Sequence, residues 1–365
     1  MKGVSLLAVL CLLLLSPQHH VEAAGGFIRT RGLNFVLDGN PFFANGFNAY
    51  WLMTLASDPS QRGKVSAAFT EASSHGLLVA RTWAFSDGGG NALQYSPGHY
   101  NERTFTGQYI ASDDDFFTNP VVGGFYKNHV KLKTITLALV LVQRWIAEMA
   151  AYVKSIDSSH LLEAGLEGFY GASSPQKQFN PRSLQVGTDF IANNRIPNID
   201  FATVHVYPDQ WLSTSNDQSQ LAFLSNWIDA HIRDARDALR KPLLVTEFGK
   251  SSKDPGFSVG QRDALFKTVY SKIYWSARSG GSAAGGFFWQ LLSQGMGSYG
   301  DGYEVVLSEG SSTARIIALQ SRQLRYLGKW YARQRNVAKL NKAKAMREEE
   351  EERQRVASKA DDAGN

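Results

Sequence analysis

The chain has 365 residues, 43% of them hydrophobic and 12% aromatic, enough apolar material for one large core without a second domain. Its net charge of +5 comes from Lys and Arg scattered through the body, and the absence of a basic stripe interleaved with aromatics argues against nucleic acid as a partner. The single cysteine, Cys11, excludes an internal disulfide framework.

At the amino terminus, Met1-Lys2 precedes an apolar run from Val4 to Leu15, then polar residues and Val21-Glu22-Ala23-Ala24. This is the pattern of a secretory signal over residues 1–24, so the mature protein is expected to be secreted and to lack cysteine. The apolar run is too short to span a bilayer comfortably, and no membrane association is expected after cleavage.

From 25 to 335, strand-like and helix-like stretches alternate, the pattern of an α/β domain with a parallel sheet. Strands are expected at 41–50, 76–85, 160–165, 201–207, 242–249 and 283–291. A helix over 64–75 separates the first two, with Gly76 as its cap. Leu221, Leu224, Ile228, Ile232 and Leu239 share one face of a later helix, and Leu265, Val269, Ile273 and Ala277 share a face of the next. Six strands are found rather than eight. Between 100 and 159 the only strand-like run, 134–142, flows into helical sequence at 143–155 with no turn between, and reads as one buried helix. Residues 336–365 form a charged tail, helical or disordered, in which Glu348 to Glu352 is an unbroken acidic run, either solvated or partner-binding.

Glu247 closes the apolar run Pro242-Leu243-Leu244-Val245-Thr246-Glu247-Phe248-Gly249. A carboxylate at the carboxyl end of a buried strand is costly without a role, and in a (β/α)8 barrel that end is where chemistry is assembled. Other strand ends carry Arg81 and Trp83, His205 and Tyr207, and Trp289, with Glu163 and Glu167 around another. Arg81 can hold a carboxylate in its ionised form, and a Tyr hydroxyl can orient one. Tryptophan offers a flat face for a pyranose ring. Each residue also has a plain structural role open to it: a surface ion pair, core packing, a satisfied core histidine. There is no His/Cys metal cluster or nucleophilic serine elbow, and Gly88-Gly89-Gly90 lacks the Lys-Ser/Thr of a phosphate loop, so no cofactor is expected.

The phrases NAYWLM from Asn48, RTWAFSDGG from Arg81, LQYSPGHYNE from Leu93, EAGLEGFYG from Glu163, FATVHVYPDQW from Phe201, KPLLVTEFGKS from Lys241 and FFWQLL from Phe287 carry a resemblance over roughly residues 25–335. The sequence resembles the plant endo-β-1,4-mannanases of glycoside hydrolase family 5. The resemblance implies a (β/α)8 TIM barrel, retaining hydrolysis of β-1,4-mannosidic bonds in mannan, glucomannan and galactomannan, and action in the cell wall. It implies Glu247 as nucleophile, Arg81 as the residue orienting the catalytic carboxylates, His205 and Tyr207 lining the site, and Trp83 and Trp289 binding sugar.

Two departures stand out. The family's third strand has no counterpart, and neither does its fourth, which ends in an Asn-Glu-Pro motif whose Glu is the general acid/base. The only Asn-Glu pair here, Asn101-Glu102, matches a different family segment, so the acid/base is not found; Glu163 and Glu167 are the carboxylates to test in its place. A barrel without its third and fourth strands is expected to expose sheet edges. Three readings stay open: a hydrolase built on Glu247, a non-catalytic mannan-binding protein using Trp83, Tyr207 and Trp289, or a chain that does not fold stably.

Overall fold

The computed structural model describes residues 26–83, 94–96, 99–100, 135–183 and 186–362. The expected signal segment, Gly88 to Gly90, Asn101-Glu102 and the acidic stretch at 113–115 lie outside them.

An antiparallel meander comes first: β1 (Arg29–Arg31), β2 (Asn34–Leu37) and β3 (Asn40–Phe42). It leads into β4 (Ala44–Asn48), α1 (Leu52–Ser57), α2 (Arg62–Ser74) and β5 (Val79–Arg81). A small ribbon of β6 (Gln94–Ser96) and β7 (His99–Tyr100) precedes α3 (Ile135–Ile156) and the short α4 (Phe190–Asn194). Then come β8 (Ala202–Val206), α5 (Pro208–Trp211), α6 (Asp217–Asp234), β9 (Leu243–Phe248), α7 (Val259–Arg278) and β10 (Ala283–Phe288). The two-residue strands β11 (Leu291–Leu292) and β12 (Val305–Val306) pair with each other before the long helix α8 (Ser312–Asp362).

The central sheet is parallel, in the order β5-β4-β10-β9-β8. Pairing of β10, late in the chain, with β4, early in it, is the ring closure of a barrel. The apolar run around Glu247 becomes β9, with every residue buried except Glu247, which is half-buried. The strands approach closely because two positions carry no side chain. A Cβ on Gly46 would lie 2.1 Å from the Val79 carbonyl oxygen, and one on Gly285 would lie 1.7 Å from that of Ala44. Outside the sheet, α7 buries Leu265, Val269, Ile273 and Ala277, and α6 buries Leu224 and Ile228, the faces expected from periodicity. The meander plugs the amino-terminal end: Phe35 packs with Ala44, Leu244 and Ala284 and meets Phe201 edge-on at 5.2 Å.

Some expected elements differ. The stretch 41–50 is divided between β3 and β4, and the described part of 76–85, residues 76–83, contributes Val79–Arg81. Residues 160–165 are not a strand. They run beside β8, where the Leu162 carbonyl accepts from Asp200 N–H at 2.7 Å and that of Glu167 from His205 N–H at 2.9 Å. Gly165 and Gly168, with φ of +65° and +104°, twist the backbone out of the extended range and interrupt the ladder. Residues 135–156 form the expected helix; in its described part Ile146 and Ala150 are buried while Trp145, Tyr152 and Ile156 are exposed, and the side chains of 134–141 lie outside the described ones.

Candidate active site

Parallel strands place their carboxyl ends on one side of the sheet, so the residues there converge. Glu247 near the end of β9 is the centre. Its Oε1 accepts from Arg81 Nη1 at 2.5 Å, across from the end of β5. Its Oε2 accepts from the Tyr207 hydroxyl at 2.8 Å, and His205 Nδ1 lies 3.5 Å from the same oxygen. Alternation along β8 and just past it explains why His205 and Tyr207 face the same way.

Asn48, at the end of β4, ties these parts together. Its carbonyl oxygen accepts from Arg81 Nη1 at 2.8 Å, while its amide donates to the carbonyls of Thr246 at 2.8 Å, Phe288 at 3.2 Å and Phe287 at 3.3 Å. One buried side chain thus fixes β4, β9, β10 and the guanidinium in a single arrangement.

Protonation states follow from burial. Desolvation lowers the His205 pKa to about 4 against the pull of Glu247, so the imidazole is neutral near pH 7, and its buried Nε2 has no partner among the described residues. Burial, and then the charge of Glu247, raises Tyr207 well above the usual phenol range, which keeps its proton on the oxygen as a donor. Behind it, Tyr303 meets Tyr207 edge-on at 5.4 Å and donates to Asp209 Oδ2 at 2.8 Å.

The aromatic residues form a wall beside this centre. Tyr50 and Trp289 stack with centroids 5.8 Å apart and planes 11° from parallel. Trp83, exposed, lies 5.5 Å from Tyr50 and 6.3 Å from Trp289. Trp289 is anchored through its Nε1, which donates to Asp301 Oδ2 at 2.6 Å.

The structure therefore brings Arg81, His205, Tyr207, Glu247, Trp83 and Trp289 to one place. Glu163 and Glu167 behave differently. Glu163 accepts from Thr203 Oγ1 at 3.0 Å and from the Gly165 N–H, and burial raises its pKa. Glu167 is exposed, with its pKa raised by desolvation and then by the negative charge of Glu247. Four residues of the site, Asn48, Tyr50, Asp301 and Tyr303, are not among those expected from the sequence. Asn48 and Tyr50 are legible as polar and aromatic residues at a strand end, whereas Asp301 and Tyr303 arrive from a loop with no such signal. Among the described residues, no group of three or more His, Cys, Asp or Glu is placed to hold a metal ion.

Comparison with known proteins bears on the family and the fold. The family model described as GH family 5 beta-mannosidase-like matches residues 132–299. Mannan endo-1,4-beta-mannosidase 1 of Oryza sativa subsp. japonica is 57% identical, with 86% of this chain and 89% of the relative covered. Mannan endo-1,4-beta-mannosidase 7 of Arabidopsis thaliana is 51% identical, covering 88% and 90%. The rice alignment runs over 385 positions yet holds 86% of 365 residues, about 314, so about 71 positions of the relative have no counterpart here. The same subtraction for the Arabidopsis protein, 391 positions less 88% of 365, gives about 70. Among solved structures, the endo-1,4-beta-mannanase from Rhizomucor miehei superposes with a TM-score of 0.60 at 23% identity, covering 83% of this chain and 100% of that one. A glycoside hydrolase family 5 mannosidase from the same organism gives 0.64 at 16%, covering 84% and 99%. These two likenesses show the fold, a (β/α)8 barrel, of which this chain holds a part. Identity at the level of the rice and Arabidopsis relatives shows more: the chain belongs to the mannan endo-1,4-β-mannosidases of glycoside hydrolase family 5.

Proposed function

We propose that this chain is a β-1,4-mannan-directed glycosidase of the retaining type whose nucleophile is Glu247. The observation that carries the reading is the clamp on that carboxylate: Arg81 on one oxygen at 2.5 Å and the Tyr207 hydroxyl on the other at 2.8 Å, at the carboxyl end of a parallel sheet. A nucleophile needs a fixed direction of attack, and these two donors supply it. Glu247 attacks the anomeric carbon, the aglycone leaves with the bonding electron pair, and water then releases the sugar from the glycosyl ester. His205, neutral and 3.5 Å from Oε2, lines the floor, while Trp83, Tyr50 and Trp289 receive sugar rings.

The second carboxylate of a retaining pair is the weak point. The Asn-Glu-Pro acid/base has no counterpart in the sequence, and general acid/base help contributes about 10²–10⁴-fold. Cleavage of natural mannan is accordingly slow, whereas a mannoside with a good leaving group, which needs no proton, still forms the glycosyl ester. The signal segment at 1–24 directs the protein to the cell exterior, where mannan is found.

The test is release of dinitrophenolate from an activated aryl β-mannobioside, beside reducing-end release from mannan. The expected result is measurable turnover of the activated substrate that disappears in Glu247→Ala, with mannan turned over at least about 100-fold more slowly. A folded protein that cleaves neither substrate overturns the proposal.

A further inference from the structure

Three observations meet on one side of the molecule. First, β5 pairs on one side only, with β4, so among the described residues its other edge carries unpaired backbone groups; Leu78 beside it is 59% exposed. Such an edge is a template for another strand. Second, α3 is apolar on two faces. Ile146 and Ala150 are buried against Ile196, Ile199 and Leu162. The neighbouring seam of Trp145, Met149, Tyr152 and Ile156, spaced i, i+4, i+7 and i+11, faces outward, with Trp145, Tyr152 and Ile156 60%, 62% and 71% exposed. That spacing is the one a second helix packs against. Third, about 70 positions of the aligned relatives have no counterpart in this chain.

The quantities agree. An eight-stranded barrel needs two more strands than the five of this sheet and the segment at 160–167 that runs beside β8. A barrel of about 250 residues devotes roughly 31 to each strand-helix unit, so two units need about 60, close to the number of unmatched positions.

We propose that the edge of β5 and the outward seam of α3 form a docking surface for a polypeptide of two β-strand/α-helix units, of the kind the mannan endo-1,4-β-mannosidase relatives carry within their own chains. Backbone pairing along β5 supplies the register, and the Trp145–Ile156 seam supplies apolar area. The inference rests on family membership and not on the activity proposed above, and its test reads no activity.

The full chain is refolded from denaturant together with the third and fourth strand-helix units of the rice relative, made as a separate polypeptide. The expected products are a soluble one-to-one complex by light scattering, reduced binding of a hydrophobic dye, and a melting temperature raised by about 5 °C or more. Trp145→Glu combined with Tyr152→Glu changes only exposed positions, so the double variant alone melts within about 2 °C of the parent, and it forms no complex. A segment that pellets while the chain is unchanged, a dimer of the chain itself that excludes the segment, or a double variant that binds as well as the parent overturns the proposal.

Discussion

Replacing Arg81 with Met removes the cation from Glu247 Oε1 and the donor from the Asn48 carbonyl oxygen. At 2.5 Å and an effective dielectric of 20, the gross attraction is about 7 kcal/mol, an upper figure from which desolvation of both groups must be taken. The Arg81 and Glu247 side chains keep 25% and 15% exposure, so water screens part of the remainder. A charge-assisted hydrogen bond of this kind is worth about 1.5–3 kcal/mol net, and the good geometry places this one near 2–3. A double-mutant cycle measures it without reference to catalysis. Urea unfolding of the parent, Arg81→Met, Glu247→Gln and the double variant, followed by tryptophan fluorescence near neutral pH, gives the coupling energy directly. About 2–3 kcal/mol is expected, falling only modestly in high salt. A coupling below about 0.5 kcal/mol, the range of an exposed pair, would refute the claim that Arg81 fixes Glu247 in a desolvated clamp.

Other consequences can be measured in the same proteins. His205 titrates near 6.5 when unfolded and near 4 when folded, so between those values only the unfolded chain takes up the proton; its contribution to stability is complete above pH 6.5, falls as pH drops toward 4, and amounts to about 3 kcal/mol over that window. Unfolding free energies at several pH values should show this slope flattened in His205→Asn, and an unchanged slope would count against a neutral buried His205. Trp289→Ala removes the stacked partner of Tyr50 and should weaken retention on insoluble mannan by about five- to thirtyfold, equivalent to about 1–2 kcal/mol; equal retention would remove it from the sugar-binding wall. Glu167, whose pKa is raised by desolvation and by the charge of Glu247, is a carboxylate to test as proton donor. Glu167→Gln should lower residual turnover of mannan at least tenfold while leaving the activated substrate within about twofold, and equal losses on both would exclude a proton-donor role.

Much of the site is legible in the sequence alone, for a physical reason. A buried strand run with a carboxylate at its end is a costly arrangement, and Glu247 stands out for that cost. His205 and Tyr207 share a face because side chains alternate along an extended chain. Arg81 is visible as the charged end of an apolar run, but its bond to Glu247 joins residues 166 positions apart and depends on how the sheet closes. Asn48 is visible as a polar strand end, but its role is hidden for the same reason: its three carbonyl acceptors belong to β9 and β10, and nothing local in the sequence announces them. The expected strand at 160–165 does not form; Gly165 at its end, and Gly168 just beyond it, take a positive φ that its apolar composition does not announce. The shortage of strands is legible in the count, and it reappears as a sheet whose edge at β5 has no second neighbour among the described residues.

The central claim is that Glu247 is the nucleophile. Incubation with a 2-deoxy-2-fluoro-mannoside bearing a good leaving group slows release of the glycosyl ester, and intact mass followed by peptide mapping locates it. One sugar per chain is predicted, attached to the peptide containing Glu247 and absent from Glu247→Gln. A label on another carboxylate, or a folded protein that takes up no label, would contradict it.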